Sequence, residues 1–188
     1  FAALRVSGGL ALETVLVRDC EFRGLRSRGS ATEGGTALRL VGDGQALAVT
    51  VRRTVFADLV CRGPGGAIFV ADGHQLTLVS CRFDSCVSVP SPVGGPGRGG
   101  AVCVLSPASA SFLKLASCIL DGNRAAGPGG AISVDDATVH LGQTDVTNST
   151  SASGSTTNWS AGAGLFLRRT DVGHTQPLQL TVEDCRFI

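Results

Sequence analysis

The chain has 188 residues, a formal charge of +1, fifteen arginines beside the single Lys114, and neither a polybasic run nor an aromatic stacking platform. These features argue against a nucleic-acid or anionic-membrane partner. No stretch approaches the roughly 18–20 uninterrupted apolar residues of a membrane span, and no basic-then-apolar leader is present. With 26 glycines and 43% apolar residues, the composition fits many strands joined by tight corners.

A two-part pattern runs along the whole chain. Its first half is a strand-like alternation behind small residues. It reads "FAALRV" at residue 1, "GTALRL" at 35, "GGAIFV" at 65, "GGAVCV" at 99, "GGAISV" at 129 and "GAGLFL" at 162, with spacings of 34, 30, 34, 30 and 33. Its second half is apolar-x-apolar-x-x-[Cys/Thr]-x-apolar. In chain order this falls on Val15, Val17, Cys20 and Phe22, then Val49, Val51, Thr54 and Phe56, then Leu76, Leu78, Cys81 and Phe83. Three more copies follow, at Leu113, Leu115, Cys118 and Leu120, at Val139, Leu141, Thr144 and Val146, and at Leu180, Val182, Cys185 and Phe187.

Spacing inside each half is fixed, and all length variation falls in two connections, as expected of a strand scaffold with loops of free length. The alternation has period two and no window holds a helical period, which excludes tetratricopeptide, ankyrin and leucine-rich repeats. The expected fold is therefore all-β: a right-handed single-stranded parallel β-helix (solenoid) of about six coils of 30–34 residues. Residues 1–188 are expected to form one β-helix segment, a fragment of a longer solenoid, because both termini fall in mid-pattern. In the third coil "AIFV", "LTL" and "CRF" are expected to form three walls. Gly65-Gly66-Ala67 would be the corner where coils come closest and a larger Cβ would crowd the next layer.

Stacking turns each repeat position into a ladder. The inward ladder reads Cys20, Thr54, Cys81, Cys118, Thr144, Cys185. Adjacent coils stand about 4.8 Å apart, inside the usual Cα range of a disulfide, and only Cys81 and Cys118 are neighbouring cysteines here. They can form a disulfide; alternatively, Cys and Thr are small residues filling one tapered corner as free thiols and hydroxyls. Cys61 and Cys86, at the next corner, are open to the same two readings. Cys103 takes the outward position of Phe69 and Phe166 and is the candidate odd thiol. Outward charges match between coils, with Asp19 expected near Arg53 and Asp145 near Arg186.

In "CILDGN", Leu120 and Asn123 occupy the ends of an F-x-x-N motif, and GGA followed by Ile or Val stands at Gly65, Gly99 and Gly129. Together these resemble the repeats of the chlamydial polymorphic outer-membrane proteins. Their autotransporter passengers are right-handed β-helices of the pectin-lyase-like type, as are related repeats in algal and bacterial surface proteins. Leu25, Leu59, Cys86 and Ser149 replace the Asn in other coils, so only Asn123 matches. The resemblance implies a surface adhesin or structural protein.

The same superfold hosts polysaccharide lyases and hydrolases. The best acidic candidate is Asp135-Asp136 with His140 and with Asp72-His74 on another coil, and its plainer reading is a turn between strands. The three histidines, His74, His140 and His174, sit at unrelated repeat positions, so neither a catalytic nor a metal site is assigned and no cofactor is expected. G-x-G-x-x-G at Gly95, Gly97 and Gly100 follows a Pro-rich loop and precedes a strand, which is the wrong setting for a dinucleotide fingerprint. Sequons at Asn148 and Asn158 share the longest polar loop and are the glycosylation candidates. The expectation is a non-enzymatic extracellular or cell-surface rod, structural or adhesive, meeting other protein chains, further coils of the same chain, or glycans. The alternative is a polysaccharide-acting lyase or hydrolase, which three or more carboxylates on neighbouring coils would favour.

Overall fold

A residue that alternates in and out of a core every second position must lie on a strand, and a strand repeated every 30–34 residues can pair only with its own copy. The computed structural model describes residues 2–7, 14–27, 34–41, 46–71, 73–92, 95–106, 111–152, 162–169 and 179–188. Within them every regular element is a strand, and the strands form four entirely parallel sheets. The first sheet stacks Leu4–Ser7, Leu38–Val41, Ile68–Val70, Val102–Leu105, Ile132–Asp135 and Leu165–Arg168. The second stacks Thr14–Arg18, Ala48–Arg52, Gln75–Val79, Ser111–Ala116, Ala137–Gly142 and Leu180–Glu183. The third stacks Glu21–Arg23, Val55–Ala57, Arg82–Asp84, Ile119–Asp121, Asp145–Thr147 and Arg186–Phe187. The chain is a parallel β-helix of six coils.

The register reproduces the repeat residue by residue. Leu4 pairs Leu38, Leu38 pairs Ile68, Ile68 pairs Val102, Val102 pairs Ile132 and Ile132 pairs Leu165. The inward residues of the first three sheets close one continuous core containing Ile68, Val70, Leu76, Leu78 and Phe83 and their counterparts in neighbouring coils. Because stacked positions superimpose, Phe22, Phe56 and Phe83 lie face over face, with ring centroids 5.3 and 4.6 Å apart and planes within 7°.

The first five coils have four walls each rather than the expected three. The fourth sheet stacks Arg26–Ser27, Val60–Arg62, Val87–Val89, Arg124–Ala125 and Thr150–Ser151. Its strands are two or three residues long, with one buried position each in the middle coils: Cys61, Ser88 and Ala125. A single small inward residue makes no alternation, so this wall carries no periodic signal.

Two corners of each of the first five coils, and one of the sixth, are single residues in the left-handed region. Between the second and third sheets stand Asp19, Arg53, Ser80, Ser117, Gln143 and Asp184, with φ between 46° and 55°. Between the third and fourth stand Gly24, Asp58, Ser85, Gly122 and Asn148. The third tight place is the GGA corner. Gly65, Gly99 and Gly129 have φ of 70°, 59° and 71°, whereas Gly66 and Gly100 are required by contact alone. A Cβ on Gly100 would stand 2.2 Å from the Gly130 carbonyl oxygen and 2.5 Å from the Arg124 nitrogen. Gly24 is the opposite case, with φ +67° and no atom within 4 Å of its would-be Cβ. We therefore expect Gly100→Ala to cost at least about 3 kcal/mol in urea unfolding. Gly24→Asn, at an open left-handed corner, should cost less than about 1 kcal/mol.

Candidate functional site

The inward Cys/Thr ladder has a local cause. A non-glycine residue in the left-handed corner costs roughly 1–2 kcal/mol, and the carbonyl before it also accepts the corner N–H of the preceding coil, Val79 O from Arg53 at 3.0 Å and Ala116 O from Ser80 at 2.9 Å. The ladder residue follows that corner and donates its X–H to the carbonyl two residues back. Thr54 Oγ1 donates to Arg52 O at 2.9 Å and Thr144 Oγ1 to Gly142 O at 3.0 Å. Cys20, Cys81, Cys118 and Cys185 do the same to Arg18, Val79, Ala116 and Glu183 at 3.2–3.5 Å. The position accepts Cys and Thr because both are short and both donate. The thiols also reach the preceding coil: Cys81 contacts Val51 O at 3.4 Å and Cys118 contacts Leu78 O at 3.5 Å.

All seven cysteines are free thiols in this structure. Cys81 and Cys118 do stack, since their flanks pair as Val79 with Ala116 and Arg82 with Ile119. The neighbouring Cys118 thiol holds the Cys81 thiol down at about 7, while the same contact and burial push Cys118 up. Cys61 and Cys86 do not share a ladder, which corrects their pairing. Cys61 lies on the fourth sheet in register with Ser27 and Ser88. Cys86 lies one position before the Val87–Val60 pair and so stacks on Leu59. Both thiols are buried, and burial raises them, Cys86 to about 12. Cys103 holds the predicted ladder with Phe69, Ser133 and Phe166. That ladder lies on the face of the first sheet away from the main core, yet Cys103 is fully buried and desolvation raises its thiol.

The acidic candidate resolves into a clamp. The Asp135 carboxylate, only 6% exposed, is gripped by Arg98 at 2.6 Å and by Arg168 of the next coil. Asp136, also buried, is the one-residue corner between the first and second sheets, at φ 57°. His140 stands on the second sheet against the Phe112 ring, with centroids 5.2 Å apart. His74 is buried, and its Nδ1 accepts the Leu47 N–H at 3.2 Å. Asp72 and His174 lie outside the described residues. Among the described residues no three His, Cys, Asp or Glu side chains are grouped to hold a metal ion. Gly95, Gly97 and Gly100 belong to the connection that enters the strand Val102–Leu105, and no helix follows them.

Asn148 does not lie in a long polar loop. It is an exposed left-handed corner residue, separated by Ser149 alone from the strand Thr150–Ser151. Its Nδ2 donates to Asp121 Oδ1 at 2.8 Å and, with the Thr147 hydroxyl, holds that carboxyl below its usual range. Asn158 lies outside the described residues. Asn123 is fully buried and bridges two coils: Oδ1 accepts the Cys86 N–H and Nδ2 donates to Phe83 O, both at 3.1 Å. The predicted charge pairs are present as well. Arg53 forks onto both Asp19 oxygens at 2.6 and 2.8 Å, and Arg186 reaches Asp145 at 3.0 Å.

Sequence reasoning missed two features. One is the Arg98–Asp135–Arg168 clamp. Its coil-to-coil half, Asp135 beside Arg168, has equal offsets in neighbouring repeats and was open to the charge matching that found Asp19 and Arg53. The other is a row of carboxylates along the third sheet. Asp84 and Asp121 are in register, and Asp58 N donates to Asp84 O at the adjoining corner. Each has a partner: Asp58 takes Arg23 at 3.3 Å, Asp84 takes Arg82 at 2.6 Å, and Asp121 takes Asn148 and Thr147. No protein-family model matches the chain, and no curated protein or solved structure matches it.

Removing the hub of the clamp leaves two partly buried guanidinium groups facing each other. Asp135→Ala should cost about 2–4 kcal/mol in urea unfolding. Asn123→Leu orphans a buried N–H and a buried carbonyl, and is expected to cost about 2–4 kcal/mol. This loss should appear even though Leu25 and Leu59 stand at the same ladder position.

Proposed function

We propose that this chain is a non-enzymatic structural or adhesive rod at the cell surface, whose variable connections meet protein or glycan partners. One observation carries the reading. The polar and nucleophilic side chains at repeat positions are committed to holding corners and stacking coils, while variation is confined to two edges of the coil. The ladder residues donate to strand carbonyls, Asn123 bridges coils, and Asp135 binds two arginines. Variable connections on a rigid frame are the usual place for recognition. The GGA corners at Gly65, Gly99 and Gly129, with the bridging role of Asn123, support kinship with the repeats of the polymorphic outer-membrane proteins. That kinship and the two sequons are what favour an extracellular location. The ladder thiols are hydrogen-bond donors and carry no weight for either redox compartment.

The row of Asp58, Asp84 and Asp121 on three successive coils favours a second reading, a polysaccharide-acting lyase or hydrolase. The two readings separate in one experiment. The purified chain is incubated with polyuronate and neutral polysaccharides, and reducing ends and unsaturated products are followed. The rod reading expects no release above the level of Asp84→Asn. Cleavage that is lost in Asp84→Asn or Asp121→Asn would establish the enzyme instead. Intact mass of chain secreted from a glycosylating host, before and after glycosidase, tests the location; unmodified Asn148 and Asn158 would count against it.

A further inference from the structure

Most buried thiols of this chain stand next to hydroxyls, methyls or rings. Cys61 lies between Ser27 and Ser88, and Cys103 between Phe69 and Ser133. Cys81 and Cys118 differ, because each has a thiol as its ladder neighbour. Ile119 N donates to Cys81 O at 3.0 Å and Ser80 N to Ala116 O at 2.9 Å, so the coils are locked together on both sides of the pair. The two Cβ atoms point the same way into the corner, and a stacked position is separated by about 4.8 Å, within the roughly 4.4–6.8 Å Cα range of disulfides. Both thiols are 1–2% exposed, yet each lies one residue beneath an exposed serine corner, Ser80 or Ser117. A short local opening of that corner would present them without unwinding a coil.

We propose that Cys81 and Cys118 form a cross-coil dithiol that closes to a disulfide by exchange with a small-molecule disulfide, stapling the third coil to the fourth. Cys81 gives up its proton and its thiolate attacks one sulfur of the small disulfide, whose S–S bond breaks to release one small thiolate. Cys118 then loses its proton and attacks the Cys81 sulfur, expelling the second small thiolate. The two protons pass to the released thiolates. The protein pair is oxidised by two electrons and one small disulfide is reduced to two thiols. Cys81 is the natural first nucleophile, since the neighbouring Cys118 thiol favours its thiolate. The bond would close a loop of 37 residues, long enough for a sizeable restriction of the unfolded chain.

The test uses the whole chain equilibrated with oxidised and reduced glutathione, quenched by alkylation and mapped by peptide mass. The expected product is two hydrogens lighter, with the Cys81 and Cys118 peptides linked. Its Tm should be about 5–10 °C higher than that of the reduced protein. Cys118→Thr provides the control, because Thr54 and Thr144 show that the ladder accepts Thr. It should keep the fold, show no rise in Tm on oxidation and retain glutathione on Cys81. The proposal is overturned if Cys81 and Cys118 remain separately alkylated after equilibration, or if another pair such as Cys61–Cys86 dominates. The wild-type peptide map decides the question even if the variant fails to fold.

Discussion

The whole architecture hangs on the carbonyl before each left-handed corner, where a corner N–H of the preceding coil and the side chain of the ladder residue both bond. A coil of some thirty residues must change direction several times, and two of those changes are made by one residue each. At the first, the X–H group of the next side chain captures that carbonyl, which fixes the bend and aims the following strand. Because the corner geometry is the same in all six coils, the strands that leave it superimpose. Superposition lets the backbone pair coil to coil and places Phe on Phe and Asp beside Arg. The Cys/Thr identity of the ladder, which might pass for a reactive or metal-binding motif, follows from needing a short donor at that point.

The second corner solves the same problem less uniformly. Ser149 donates to Thr147 O at 3.1 Å and Cys86 reaches Asp84 O at 3.7 Å, repeating the first device. Asn123 does something different: it turns both ends of its side-chain amide toward the coil below. Leu25 and Leu59 make no such bond and contribute only apolar packing. The second corner is thus held in three different ways across five coils, which is why its ladder looks so poorly kept beside the first.

How much was legible follows from how much is periodic. Coil starts at 35, 65, 99, 129 and 162 could be read to the residue because strict translation forces equal offsets. The same rule revealed Asp19 with Arg53 and Asp145 with Arg186. It fails where a wall has one small inward residue, so the fourth sheet around Cys61, Ser88 and Ala125 left no trace in the pattern. It also misled where offsets were not compared: Cys61 lies five residues after its Phe and Cys86 three, and two residues is one whole inward position. Arg98 belongs to a connection and follows no repeat rule, so its place over Asp135 required the fold. Polar neighbours point Asn148 to a loop, whereas its corner accepts Asp, Ser, Gly and Asn in the positive-φ region.

The alternation of coil lengths has a geometric meaning of its own. Between the fourth sheet and the next coil's first strand, the connections hold ten, five, twelve, six and thirteen residues in order. Long and short segments therefore alternate along a single edge, and the true structural period there is two coils. Long segments leave the frame about 10 Å apart, twice the strand spacing. Whatever sequence these segments carry is spaced along the edge at a pitch that the stacked backbone, and not the segments themselves, determines.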